Sequence, residues 1–329
     1  MNKLLPIQIC HQNHKIARNL LISLISPSEI NNPTSIAIGS FDGLHAGHRK
    51  LIESVVEDNQ YTPTIASFWP HPREVLYKET RLRLDLPYEK LPILEDLGIE
   101  QLVLIPFDEK LSKLSAERFI RDILINQLQA KNISVGANFK FGFRRSGDIN
   151  TIKNTIKDTD IKLKITPILE DKEGRISSSR IRDLLEKSDL KNAFKILNRP
   201  YSFNGAVVKG KGIGKSIGWP TANLEIDGRK FLPGEGVYAA WTNIENSNKK
   251  IASVMNLGSQ PTINPLLPSA VEVHLINKDI ELYGLNLSVE PVEKLRSQIQ
   301  FKNIDQLSNQ IKKDKDNALK ALKNTKSNL

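Results

Sequence analysis

At 329 residues the chain exceeds the usual size of one domain, and its 39% hydrophobic, 26% charged composition is that of a soluble globular protein with ample apolar material. One cysteine, Cys10, excludes an internal disulfide, and the longest apolar run, Leu20 to Ile25 with Ser23 inside it, is far too short to span a bilayer. A formal charge of +10 does not by itself indicate nucleic acid, because six lysines crowd the last 20 residues beside Asp314 and Asp316, and the 6% aromatics do not interleave with them.

Pro6, Gln8 and His11 interrupt any leader-like apolar core, so a cytoplasmic location without a membrane partner is expected. The first 34 residues suit a peripheral helix or an edge segment. Ser35 to Ile38 then reads as a buried strand ending at Gly39, and Leu51, Ile52, Val55 and Val56 recur at helical spacing after the turn. Thr64 to Phe68 is strand-like. Leu91, Leu94 and Leu97 suit a short helix that ends at Gly98, followed by a strand over Gln101 to Ile105. Phe119, Ile120, Ile123, Leu124 and Leu128 form a helical face, and Ile133 to Gly136 the next strand. Ile161, Leu163 and Ile165 alternate as a strand does, and Ile181, Leu184 and Leu185 mark a helix capped near Ser178 or Ser179. This alternation predicts a parallel sheet with helices on both faces.

The texture changes between Lys187 and Arg199, which predicts a boundary there. Phe203–Val208, Gly236–Thr242, Ile251–Met255, Val271–Ile276 and Leu285–Val289 are short strands between turn residues, the pattern of a small antiparallel barrel or sandwich. Ile304, Leu307, Ile311 and Ala318 then mark one terminal helix.

His45 and His48 sit where the first strand hands over to a helix. Unpaired backbone N–H groups and the positive dipole end gather there, so the position suits a phosphate. Such a pair alone is a weak signal; its strand–turn–helix setting strengthens it, and no third His or Cys stands at a metal-ligand spacing. Ser177, Ser178, Ser179, Arg180 and Arg182 supply hydroxyls and guanidinium forks, good phosphate ligands, although such a run is also an ordinary capped helix start. Val207 to Lys215 is a glycine- and lysine-rich loop without the spacing of a P-loop. Thr221 and Asn223 project on one side of extended chain, and a hydroxyl with an amide oxygen suits Mg²⁺ carried on ATP phosphates. Glu272 and His274 share a strand face opposite Val271, Val273 and Leu275; the residues alone read as a polar outer face or as a carboxylate able to accept a proton.

Gly39 to His48 resembles the HxGH signature of the nucleotidylyltransferases. Further blocks narrow the resemblance to the bacterial bifunctional riboflavin kinase/FAD synthetases: Phe68–Arg73, Gly136–Gly142, Ile176–Arg182, Gly218–Leu224 with its PTAN motif, Asn256–Thr262, Val271–His274 and Asp279–Gly284. The resemblance runs from about Ser35 to Asp316 and implies an α/β Rossmann-like nucleotidylyltransferase domain over residues 1–187. A small antiparallel β-barrel kinase domain with a C-terminal helix would follow over 188–329. It implies Mg²⁺, ATP as co-substrate and riboflavin, FMN and FAD as substrates and products, with no nucleic-acid partner and a monomer or weak homo-oligomer.

By the same resemblance Gly39, Ser40, Phe41, Asp42, His45, His48, Asn138 and Ser177–Arg180 surround the ATP that adenylylates FMN, with His45 and His48 catalytic. Pro70, His71, Pro72, Arg73 and Arg296 face flavin. Gly210, Lys211, Gly212, Lys215, Gly218, Pro220, Thr221 and Asn223 hold the ATP of the kinase, Thr221 and Asn223 with its metal, and Glu272 is the base for the riboflavin hydroxyl. Trp69 stands where the family has an acidic residue. A nucleotidylyltransferase of other specificity, a tRNA-synthetase-like enzyme, a protein retaining one of the two activities and a basic nucleic-acid binder are the rival readings.

Overall fold

A computed structural model describes residues 23–58, 60–79, 82–210, 214, 218–247, 249–258 and 271–326 of the chain. The chain divides into two compact units, one of residues 1–81 and 86–177, the other of residues 82–85 and 178–329.

In the first unit, strands β1 (Ser23–Ile25), β2 (Thr34–Ile38), β3 (Thr62–Trp69), β4 (Gln101–Pro106), β5 (Ala130–Gly136) and β6 (Lys162–Thr166) form one sheet in the order β1-β4-β3-β2-β5-β6. Every pair is parallel. β1 lies at one edge of the sheet; of the first 34 residues, read as a peripheral helix or edge segment, 1–22 lie outside the described residues. All five residues of β2 are buried, as expected of a strand covered on both faces. Its alternate side chains face two cores. Ala37, with Phe41 and Leu44, packs under α1 (Ala46–Val56) and the leucines of α3 (Pro87–Asp96). Ile36 and Ile38 pack with Phe119, Ile120, Ile123 and Leu124, and with Ile152 of α4 (Ile149–Thr155). A short helix, α2 (Pro72–Tyr77), follows β3. The 119–127 segment, expected as an ordinary helix, is a π-helix in which Leu128 N–H bonds the Ile123 carbonyl at 2.9 Å; its apolar face is the predicted one. A two-residue hairpin, β7 (Glu170–Asp171) with β8 (Gly174–Arg175), was not legible in the pattern.

The second unit opens with α5 (Ser178–Glu186) and α6 (Leu190–Leu197). The helix begins at Ser178, as expected, with Ser178 and Ser179 as its first two residues. Six antiparallel strands then close a barrel in the order β10-β13-β12-β11-β14-β9: β9 (Phe203–Val208), β10 (Ala222–Glu225), β11 (Gly236–Ile244), β12 (Ile251–Leu257), β13 (Val271–Leu275) and β14 (Asn286–Arg296). The barrel, rather than a sandwich, is the outcome. β14 runs past the expected stop at Val289, through Pro291, because register shifts against β11 absorb the irregularity. The terminal helix α7 (Ile304–Lys326) packs Ala318, Ala321 and Leu322 onto Val237, Ala239 and Val254. Those three residues therefore face outward under the helix, and their strand neighbours Tyr238, Ala240 and Met255, also buried, face inward.

Candidate functional site

In the first unit β2 is the strand at which the winding reverses. β3 and β4 lie on one side of it, β5 and β6 on the other. A parallel sheet opens a crevice at the carboxyl ends of the strands flanking such a point. Three of the singled-out blocks occupy those ends: Gly39–His48 after β2, Trp69–Arg73 at the end of β3 and Gly136–Gly142 at the end of β5.

The turn after β2 is tied to β3, since Gly39 N–H donates to the Ala66 carbonyl at 3.1 Å and Ser67 Oγ donates to the Ser40 carbonyl at 3.1 Å. Phe41, Gly43 and Leu44 take φ values of 44°, 89° and 45°. Left-handed backbone costs a side-chain-bearing residue roughly 1–2 kcal/mol. Complete burial of Phe41 and Leu44 offsets that cost and fixes the turn. The turn delivers His45 to the cap position of α1, where its side chain makes no capping hydrogen bond.

The His45 and His48 rings stack at 3.8 Å between centroids, and Phe41 lies 5.2 Å from His48. Neither Nδ1 has a hydrogen-bond partner among the described residues. Burial pushes His45 down to about 4, with buried Asp42 pulling the other way and Arg175 adding to the decrease. His48 is lowered well below the ordinary value by burial, then by His45 and Lys90. Both imidazoles are therefore neutral at pH 7. Neutral, each can donate one hydrogen bond at the helix N-terminus.

His71 caps α2, its Nδ1 accepting from Arg73 N–H at 3.1 Å, and the Arg73 guanidinium forks onto Glu79 at 2.7 Å while lying over Tyr77. Trp69 is partly buried and packs against the core under α1. Asn138 is exposed in the turn after β5. Ser178, Ser179 and Arg180 stand on the first turn of α5, within the second unit. Arg182 is turned away from phosphate duty, since its guanidinium donates to the Ser178 carbonyl at 3.2 Å and the Leu82 carbonyl at 3.0 Å.

In the second unit, strand register builds a polar row on the outer face of the barrel. Glu272 of β13 stands opposite Asn223 of β10 on one side and Asn256 of β12 on the other. Asn256 is in turn opposite Val237, and Val237 opposite Arg296. Directly opposed residues share a face with Cβ atoms about 5 Å apart. The carboxylate and the amide of the PTAN segment are thereby neighbours.

The glycine loop meets this row closely. A Cβ on Gly210 would overlap the Asn223 amide, and one on Gly214 would overlap the Trp219 carbonyl and come within 3.1 Å of Thr221 Oγ1. Only glycine lets the loop backbone lie against Thr221 and Asn223. Lys211, Gly212 and Lys215 fall outside the described residues.

The PTAN segment is held from behind. The ring Nδ1 of His274 is 2.8 Å from the Pro220 carbonyl, its ring meets Trp219 edge-on, and Trp219 Nε1–H donates to Ser308 Oγ of α7 at 3.1 Å. Sequence reasoning left His274 on a polar face; its pairing with Pro220, 54 residues away, had no local signal. Arg296 is partly buried at the end of β14. Its guanidinium forks onto buried Asp314 of α7 at 2.8–3.0 Å and lies over Phe301.

The FAD synthetase family matches residues 27–180 and the riboflavin kinase family residues 197–322. The chain is 34% identical over 293 residues to the bifunctional riboflavin kinase/FMN adenylyltransferase of Buchnera aphidicola subsp. Schizaphis graminum, covering 87% of this chain and 93% of that relative. It is 32% identical over 327 residues to the protein of the same description from Bacillus subtilis, covering 97% and 98%. A crystal structure from Streptococcus pneumoniae, described as a macrolide-efflux protein, superposes with a TM-score of 0.77 at 28% identity over 90% of this chain and 98% of that one. No helix of the described residues is long and apolar enough to cross a membrane.

Proposed function

The chain belongs to the family of bifunctional riboflavin kinase/FMN adenylyltransferases, and from that premise we propose which residues carry each reaction. The enzyme phosphorylates riboflavin to FMN with one ATP and adenylylates FMN with another to give FAD and pyrophosphate. The observation that carries this is the tandem match of both families, one over residues 27–180 and the other over residues 197–322. We assign the first activity in chain order, adenylylation, to residues 1–187 and the kinase to 188–329, and the work to the cytoplasm.

For adenylylation, the phosphate oxygen of FMN attacks the α-phosphorus of ATP and pyrophosphate leaves. The nucleophile is already an anion, so no general base is needed. His45, His48 and the open N–H groups of α1 donate to the triphosphate and accommodate the charge that builds in the transition state. Gly39 to Asp42 shape that cradle, and Asn138 reaches in from the neighbouring strand end. Ser177 to Arg180, inside the FAD synthetase match, are assigned to the phosphates. Pro70, His71, Pro72 and Arg73 bound the flavin, Arg73 exchanging its contact with Glu79 for the substrate.

For phosphorylation, Glu272 accepts the proton of the riboflavin 5′-hydroxyl as that oxygen attacks the γ-phosphorus and ADP departs. Thr221 and Asn223 fit Mg²⁺ carried on ATP: both offer hard oxygen donors, and the glycines pressed against them leave backbone, not side chains, facing the phosphates. When bound, the ion neutralises phosphate charge; the chain's own part is to orient nucleotide and hydroxyl beside Glu272. Arg296 caps the flavin edge from the end of the same row. Chromatography of products from ATP and riboflavin tests the assignment: FMN should appear first and FAD after it, and a protein making neither would contradict it.

A further inference from the structure

We infer that Asn256 is a positioning residue for phosphoryl transfer, its side-chain amide holding the Glu272 carboxylate in the orientation that receives the riboflavin proton. The inference rests on the reading of Glu272 as base. Asn256 stands directly opposite Glu272 across the β12–β13 ladder, on the outer barrel face and about 5 Å away between Cβ atoms.

The orientation of its amide follows from Gln298. The Gln298 Nε2 group lies 2.9 Å from the Leu257 carbonyl, which can only accept, so the nitrogen end of that amide must point there. The same nitrogen lies 2.8 Å from Asn256 Oδ1. The oxygen of Asn256 is therefore spent on Gln298. Gln298 follows β14 and reaches Asn256 from the β11–β14 side, whereas Glu272 lies on the opposite, β13 side. The nitrogen, with its two N–H bonds, is therefore the end of the Asn256 amide that remains to donate across the ladder to the carboxylate. Asn223, the opposite neighbour of Glu272, has its amide against Gly210 of the loop and is assigned above to the nucleotide, which leaves Asn256 to fix the carboxylate.

In the reaction the hydroxyl proton passes to Glu272 as the new O–P bond forms and the bond from the γ-phosphorus to the ADP oxygen breaks. Asn256 exchanges no proton. It sets which carboxylate oxygen faces the hydroxyl.

The test uses the full chain, with FAD formation from supplied FMN as an internal control for folding. Asn256→Ala should lower the riboflavin kinase kcat about tenfold or more while the riboflavin KM changes less than about threefold. Asn256→Asp should lose more, because an oxygen then meets the carboxylate. Gln298→Ala, at an exposed position that spares the barrel, should lower the same kcat by a smaller factor. The inference is overturned by an unchanged kcat in the Asn256→Ala and Gln298→Ala variants, by a raised KM with kcat retained, or by loss of both activities together. A kinase that survives Glu272→Gln would instead remove the base itself, a distinguishable failure.

Discussion

At the scale of single residues, the stacked imidazoles set how the first site responds to acid. Burial lowers His45 from 6.5 to about 4, so the unfolded chain takes up this proton before the folded one does. The stability gained by keeping His45 neutral is complete above about pH 6.5 and is lost as pH falls toward 4, roughly 3 kcal/mol in all. Chemical denaturation of the first unit across that range should show a steep loss of stability that His45→Gln makes shallower. Identical slopes in the two proteins would contradict the burial argument. The same neutrality explains why two adjacent imidazoles tolerate stacking at 3.8 Å: neither carries a charge at pH 7.

At the scale of elements, each site is a place where one element is pressed against another without room to spare. The loop after β9 lies on β10 because Gly210 has no Cβ to strike Asn223. Gly210→Ala should therefore lower kinase activity by about tenfold or more through a displaced Asn223, with FAD formation from FMN unchanged. Full kinase activity in that variant would contradict the close approach. Much of this was legible in advance. The buried strand into Gly39, the helical face after it and the alternation of Glu272 with Val271 and Val273 are local periodicities, and the structure keeps them. What was not legible depends on distant partners or on breaks in pattern. β10 is four residues long and carries Asn223 in a segment read only as extended chain. β14 continues beyond Val289 and through Pro291, where two register shifts keep it paired with β11. His274 and Asn256 acquire their roles from a carbonyl and an amide that no spacing announces.

At the scale of the whole molecule, the units are not simple halves of the chain. Leu82–Asp85, far ahead of the boundary read from texture, belongs to the second unit. Arg83 N–H donates to the Arg229 carbonyl, and Phe231 N–H donates back to the Arg83 carbonyl, adding a short run of pairing. Fully buried Lys230 donates to the Leu84 carbonyl at 2.6 Å, and Asp85 takes both bonds from one Arg199 nitrogen at 2.6 and 2.7 Å. Removing the carboxylate from so buried a pair takes away the opposite charge at 2.6–2.7 Å from the guanidinium. Asp85→Ala should lower the stability of the kinase unit by about 3 kcal/mol, read as loss of kinase activity at lower urea. An unshifted midpoint would show the segment to be incidental.

The central claim is that one chain carries two chemically independent ATP sites, the product of one being the substrate of the other. The most direct measurement is chromatographic quantification of FMN and FAD made by His48→Ala and Glu272→Gln. His48→Ala should convert riboflavin to FMN and stop there, while Glu272→Gln should make no FMN yet still convert supplied FMN to FAD. If either variant lost both steps, or kept both, the division of labour between His48 and Glu272 would be wrong.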